Sequence, residues 1–286
     1  MKFAAKQRQS WGMYATVLPP VIWMGLLYFL PIAILVSYSF WRLEGFEIVR
    51  EFSLTNFRSI ATNTSYQSVI LRTLATALGV TILDIIIALP VGYFIGRYTG
   101  KYQTIFTLLV ILPLWSSYLV RVFAWKVILG YNGVLNNLLM FLGVFDQPSQ
   151  IFLYNQFSTT ITFVHVWLPF MILPIITAFE KLSPELLEAS ADLNAKPLTT
   201  FFRVALPQVI PGVWAGAISV FSLTMGDFIT PSLVGGPNGI MLGNLIASQF
   251  GISYNWPLGA AFSLLVIIFI FTALTFAMKQ GALEDV

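Results

Sequence analysis

The chain reads as long apolar runs separated by short polar connections. Six runs reach the roughly 20 residues that a bilayer crossing needs, at about 13–39, 70–96, 104–129, 157–180, 208–232 and 257–278. Proline recurs inside them, at Pro19, Pro20, Pro31, Pro90, Pro113, Pro169, Pro174 and Pro211. Membrane helices tolerate this because neighbouring groups re-satisfy the freed carbonyls. Ala88, Gly92, Gly96 and Gly100 form a small-residue ladder on the second run. Such ladders let helices approach closely, and ordinary internal packing accounts for this one. The first run has the length of a span and no small-residue cleavage site, so it reads as a retained helix. The pattern predicts an all-α integral membrane protein with six transmembrane helices.

The connections carry their own signals. The first, about 41–68, holds Glu44, Glu47 and Glu51 among arginines and predicts short interfacial helices. Asn132-Gly133 marks a turn, and the apolar run that follows, 134–142, is too short to span and predicts a re-entrant or surface-lying helix. Gly235-Gly236-Pro237-Asn238-Gly239 opens a second such segment, from Met241 to Phe250. The organisation expected is a tail, first span and outer loop over 1–69, a core over 70–278 containing a polar loop at 181–207, and a tail at 279–286.

Composition removes the soluble alternatives. Charged residues make up 9% of the chain and apolar ones 57%, with a mean hydropathy of +0.82, whereas soluble domains carry about 25% charged residues. The absence of cysteine excludes disulfides, thiolate metal sites and cysteine nucleophiles. Charge placement sets a topology. With the N-terminus inside, inner segments hold Lys2, Lys6, Arg8, Arg97, Lys101, Lys181, Lys196, Arg203 and Lys279, while Arg42, Arg50 and Arg58 lie outside. This bias predicts that both termini are cytoplasmic, and it puts the 181–207 loop in the cytoplasm.

That loop is a polar island. Ser183-Pro184-Glu185 suits a helix start, with a capping serine, a first-turn proline and an acid at the positive end of the dipole. The helix should run to about Leu193. Asn194 then stands where a left-handed residue would end it. Pro197 opens a second helix that enters the membrane at Leu206-Pro207. Leu186, Leu187 and Leu193 offer apolar contacts, and Glu188 and Asp192 share a face. The run Glu188-Ala189-Ser190, then Asn194, Val204 and Leu206-Pro207 resembles the docking loop of ABC importer permeases. The pattern of that loop is E-A-A, three residues, G, nine residues, I-x-L-P. Leu112-Pro113-Leu114-Trp115, Leu168-Pro169-Phe170-Met171, Gly226-Asp227-Phe228 and Gly235-Gly236 are similar to the spermidine/putrescine branch.

The resemblance implies a type I importer transmembrane fold with a cytoplasmic coupling helix, in the bacterial inner membrane. The partners implied are a second homologous permease, two ATPase subunits and a periplasmic solute-binding protein. The solute implied is small and cationic, most simply a polyamine, with opines, iron and amino-acid-like solutes as alternatives. Glu188, Ala189, Ser190, Asp192, Asn194, Leu206 and Pro207 would couple the chain to the ATPase. No nucleic-acid partner and no catalytic residue are expected. The single Gly-Lys pair, Gly100-Lys101, precedes Tyr102 and has Ile95 where a P-loop needs glycine. ATP and magnesium would therefore be used by the partner ATPase, with no cofactor on this chain. One histidine argues against metal chemistry.

Ionisable groups at membrane depth are candidate functional groups by default. Asp84, Arg121, Lys126, His165 and Asp227 lie deep, and Arg72 and Glu180 near span ends. In the third span Trp115, Tyr118, Arg121 and Trp125 fall within about 120° of arc. In the fifth span Ser219, Ser222, Asp227 and Thr230 share a face about 140° wide. Candidates for the solute path are Asp227, Trp115, Tyr118, Asp84, Arg121 and Ser222. Asp227 could pair with Arg121 or meet an ammonium group beside the aromatic rings. Asp84 could be a second acidic stop or a buried hydrogen-bonded carboxyl. An ion-coupled secondary transporter using Asp84 and Asp227, or a channel or structural subunit, remains open on these residues alone.

Overall fold

The computed structural model describes residues 2–279, with side chains from residue 16 onward; most of the expected tail at 279–286 lies outside the described residues. Among the described residues, five helical segments are long and apolar enough to cross a membrane, and a bent pair makes a sixth when counted as one span. In chain order the helices are α1 Lys2–Ser39, α2 Thr55–Thr62, α3 Thr64–Tyr98, α4 Gln103–Ile111, α5 Tyr118–Leu129, α6 Val134–Phe141, α7 Gln156–Lys181, α8 Pro184–Asp192, α9 Pro197–Thr200, α10 Leu206–Gly226, α11 Leu242–Phe250 and α12 Trp256–Met278. The short helices expected near 134–142 and 241–250 are α6 and α11.

The backbone divides into two compact units, 1–62 with 248–265, and 63–247 with 266–286. In the first, α1 presents its apolar side chains outward over Thr16–Ser39, as a helix whose solvent is lipid does. Its loop corrects the expectation of helices alone. Strands β1 Arg42–Glu44 and β2 Glu47–Val49 pair antiparallel ahead of α2. Gly45 turns the hairpin at φ +61°, which a glycine adopts freely. Three-residue strands are too short to reveal a period of two. Asn56 fastens the hairpin by donating to the carbonyls of Ser39 (3.0 Å) and Trp41 (2.7 Å).

The second unit is built around α7, which packs between α3 and α10. Its buried residues include Phe163, Met171, Ile175, Ile176 and Phe179. Close approach is possible because the facing positions are small. A Cβ on Gly96 would stand 2.7 Å from the Phe179 Cβ, and one on Gly216 2.7 Å from the Met171 sulfur. Gly92 meets Ile175, and Gly212 meets Pro174 and Ala178, in the same way. The expected ladder is thus a packing device at Ala88, Gly92 and Gly96. Gly100, at φ +49° with open space around it, belongs to the following turn.

Two spans depart from the continuous helices expected. Between α4 and α5 the chain makes a 3-10 turn over Leu112–Trp115, then extends at Ser116 and Ser117. The two sides are bent by 87°. Pro113 lacks the N–H that would continue the ladder, and the Ser116 hydroxyl bonds the Pro113 carbonyl at 2.7 Å. The fifth helix stops at Gly226 instead of 232. The Asp227 carboxylate takes the N–H groups of Ile229 (2.7 Å) and Thr230 (3.1 Å), so the backbone turns away.

Packing against α7 makes a prediction. Gly96→Ala should destabilise the purified protein by about 1–3 kcal/mol through overpacking, whereas Gly79→Ala, with nothing within 4 Å of its Cβ, should leave stability unchanged or slightly raised. Thermal unfolding in detergent distinguishes the two.

Candidate functional site: a helix-break cleft and an exposed helical loop

The two breaks meet. Tyr118, the first residue of α5, donates its hydroxyl hydrogen bond to Asp227 Oδ2 and lies 2.6 Å from the Thr230 hydroxyl. Thr230 Oγ1 also reaches Asp227 Oδ2 at 3.4 Å. Asp227 Oδ1 is occupied by the N–H groups of Ile229 and Thr230, in the helical turn that follows α10. A side chain at membrane depth without such donors would be costly; here four donors surround the carboxylate, and Asp227 is 8% exposed. The carbonyl of the neighbouring Phe228 accepts from Asn244 at 2.9 Å.

Beside this junction opens a cleft of about 320 Å³, lined by Tyr118, Trp167, Ser222, Asp227, Phe228 and Ile229 among others. The Trp167 ring from α7 stacks on Tyr118 at 5.3 Å and 12°. Its indole Nε1 is buried with no acceptor. The cleft therefore combines a carboxylate, two stacked aromatic rings and the Ser222 hydroxyl. Such a setting suits an organic cation better than an anion.

Of the path candidates, Asp227, Tyr118 and Ser222 come together here. Trp115 does not. The break puts it in the 3-10 turn, 76% exposed, so the continuous stripe through Trp115, Tyr118, Arg121 and Trp125 does not form. Likewise Asp227 and Thr230 leave the helical face of Ser219 and Ser222. Arg121 does not pair with Asp227; its Nη1 donates to the Val166 carbonyl at 3.1 Å. His165 lies edge-on to Trp125 at 5.4 Å. Asp84 is fully buried in α3 and neither carboxylate oxygen has a partner in the protein, so it is not the hydrogen-bonded carboxyl allowed from the sequence. The register that sets Gly92 beside Ile175 and Gly96 beside Phe179 puts Asp84 level with Trp167. Trp167 was not among the sequence candidates. Nothing in the linear order connects residues 118, 167 and 227, and α7 is apolar on most sides.

Beyond the C-terminal end of α7 the polar loop forms the expected pair of helices. Pro184 opens α8, although the Ser183 side chain makes no capping bond. Asn194 adopts φ +53°. The N–H of Asn194 bonds the Ala191 carbonyl (2.8 Å) and that of Ala195 the Ser190 carbonyl (3.1 Å), the paired closure typical of a left-handed helix end. Glu188, Ala189, Asp192 and Leu193 are exposed, while Ser190 is buried and within 2.8 Å of the Thr200 hydroxyl. Leu187 faces the core, whereas Leu186 and Leu193 face outward. Phe201 sits among Tyr93 and Phe179 at centroid distances of 5.2 and 6.5 Å. Leu206 packs on the core and Pro207 is exposed. The loop is thus an exposed platform tied to the ends of α3 and α7.

Comparisons with known proteins bear on this geometry. Residues 88–281 match the family described as binding-protein-dependent transport system inner membrane component. The chain is 41% identical to the inner membrane ABC transporter permease protein YdcU of Escherichia coli, over 96% of this chain and 91% of that one. It is 35% identical to the spermidine/putrescine transport system permease protein PotB of Haemophilus influenzae, over 85% and 84%. The fold is similar to that in the crystal structure of a bacterial ABC transporter involved in the import of the acidic polysaccharide alginate. The TM-score is 0.72 at 15% identity, covering 98% of this chain and 99% of that one. A second structure, of a bacterial alginate ABC transporter in complex with its alginate pentasaccharide-bound periplasmic protein, gives 0.75 at 17% identity, over 94% and 93%.

The junction can be tested directly. Tyr118→Phe removes the hydroxyl that joins α5 to the Asp227 turn and should cost about 1–3 kcal/mol by leaving a buried carboxylate oxygen under-satisfied. A melting temperature equal to that of the unaltered protein would mean that the junction contributes nothing to stability.

Proposed function

We infer function from one premise: the chain belongs to the family of binding-protein-dependent transport system inner membrane components. It is a type I ABC importer permease, a multi-pass protein of the bacterial inner membrane. On this basis we propose that it moves a small organic cation of the spermidine and putrescine class. A periplasmic binding protein would deliver the cation. Both termini would be cytoplasmic. A second permease and two ATPase subunits would complete the pump, with ATP and magnesium held by the latter. The observation that carries the solute class is the cleft of Tyr118, Trp167, Ser222 and Asp227. The relative named for spermidine/putrescine transport supports the same reading. Fold alone does not select a solute, since a similar fold serves alginate import in another transporter.

Glu188, Ala189, Ser190, Asp192 and Asn194, with Leu206 and Pro207, are proposed as the coupling element. Three observations support this. The α8–α9 platform is exposed, Asn194 holds it in a fixed turn, and Phe201 ties it to α3 and α7. ATP-driven closure of the ATPase subunits would move the platform, and α7 would carry the displacement towards the cleft. Asp227, with Tyr118, would present negative potential and ring faces to the cation, and Asp84 would add a carboxyl at the same level.

The test is the intact complex in mild detergent. ATP hydrolysis should rise when spermidine-loaded binding protein is added and should not rise with the empty binding protein. Stimulation by another solute alone would reject the polyamine assignment. Glu188→Lys should leave insertion and assembly of the two permeases intact and abolish the stimulated component. Full stimulation in that variant would remove Glu188 from the coupling role.

A further inference from the structure

A second polar cleft lies at the C-terminal end of α7, away from the Tyr118–Asp227 junction beside Trp167. Gln103, Thr104, Thr107 and Leu108 of α4 and Glu180 of α7 line about 490 Å³. It sits where α7 ends, beside the start of the proposed coupling helix. Arg97 closes that end by donating to the Leu182 carbonyl at 2.9 Å. Neither cleft residues nor cleft are used in the reading above, and a polar stripe at positions 103, 104 and 107 stands out on a helix that is otherwise Ile, Phe, Leu and Val.

These groups have spare bonding capacity. Thr73, Thr76, Thr81 and Thr99 each bond their hydroxyl to the carbonyl four residues back, at 2.7–2.8 Å. Such back-bonding is the usual fate of a helical threonine. Among the described residues no hydrogen bond reaches the Thr104 or Thr107 hydroxyl, and both residues line the cleft. Glu180 accepts one bond, from Gln103 Nε2 to Oε1, and Oε2 has no partner among the described residues. An ionised carboxylate offers about four acceptor positions. Asp227 has its positions filled by Tyr118, Ile229 and Thr230, so it acts on a passing cation through its field. Glu180 has positions to give. A primary ammonium group carries three N–H donors and no acceptor. One free carboxylate oxygen and two free hydroxyls meet that requirement.

The geometry points to the Gln103–Thr104–Thr107–Glu180 cleft as an ammonium-binding station at the inner end of the solute route, about 20 Å along α7 from Trp167 at 1.5 Å per residue. This rests on the polyamine reading above. A cation would pass from the aromatic cleft, where ring faces and the Asp227 field attract it, to Glu180, which bonds it directly before release beside the coupling helix. An aminophospholipid headgroup presents the same ammonium chemistry, and the test separates the two sources.

The cysteine-free chain allows a single cysteine at Thr107, or at Thr104 if the first variant fails to assemble. The whole complex, with its partner permease and ATPase, is reconstituted into phosphatidylglycerol/phosphatidylcholine vesicles with and without phosphatidylethanolamine. Maleimide labelling is timed with spermidine added on the side of the coupling loop, and spermidine uptake by the unaltered complex is measured in parallel. Spermidine should slow labelling several-fold in both lipid mixtures. Adding Glu180→Gln should raise the half-protecting concentration by about tenfold or more, because a charge-assisted bond is lost. Uptake without protection would overturn the station alone. Protection that requires phosphatidylethanolamine and ignores spermidine would assign the cleft to a lipid headgroup and overturn it as well. Absence of spermidine uptake by the unaltered complex would overturn the polyamine reading and the station with it.

Discussion

Close packing of α7 against α3 and α10 is the constraint on which the rest of the core depends. Lipid offers no hydrophobic drive for helix association, so membrane helices cohere through van der Waals fit and polar bonds. Here the fit comes from glycines that let Ile175, Phe179 and Met171 lie against bare backbone. The consequence is mechanical. α7 carries Trp167 near its middle and Phe179 and Glu180 at its C-terminal end. On the proposed coupling, a displacement of the α8–α9 platform would reach the cleft along this one helix.

The two helix breaks shape the proposed solute cleft. Ending α4 and α10 inside the apolar region frees backbone groups that cannot be left bare. The Asp227 carboxylate satisfies two of them and accepts Tyr118 across the gap. One residue thus terminates a helix, joins two broken spans and sets a negative charge beside two aromatic rings. The same bonds explain why Asp227 has no capacity left to bind a cation directly, and why the free oxygen of Glu180 gains significance at the far end.

Much of this was legible in the sequence because it depends on local chemistry. Span lengths, the short helices α6 and α11, and the left-handed turn at Asn194 follow from apolar run length and from what asparagine tolerates. The breaks were not legible. Pro90, Pro169, Pro174 and Pro211 lie inside continuous helices, so Pro113 by itself carries no instruction to stop. The break it lies in meets residue 227, more than a hundred positions away, through the Tyr118 hydroxyl. The hairpin at 42–49 was hidden by its three-residue strands, and Trp167 by an apolar helix with no polar stripe to single it out. The resemblance of the Glu188 loop identified the class of machine, whereas the cleft required the fold.

The central claim is that an ATPase seats on the α8–α9 platform and drives the core through α7. A photoactivatable crosslinker on a single cysteine at Ala189, placed in the otherwise cysteine-free chain within the assembled complex, tests it most directly. The account predicts a crosslinked product joining this chain to the ATPase subunit, with a yield that changes when ATP is bound. A probe at Ala189 that reaches only lipid or solvent, while the complex still hydrolyses ATP and imports solute, would contradict it.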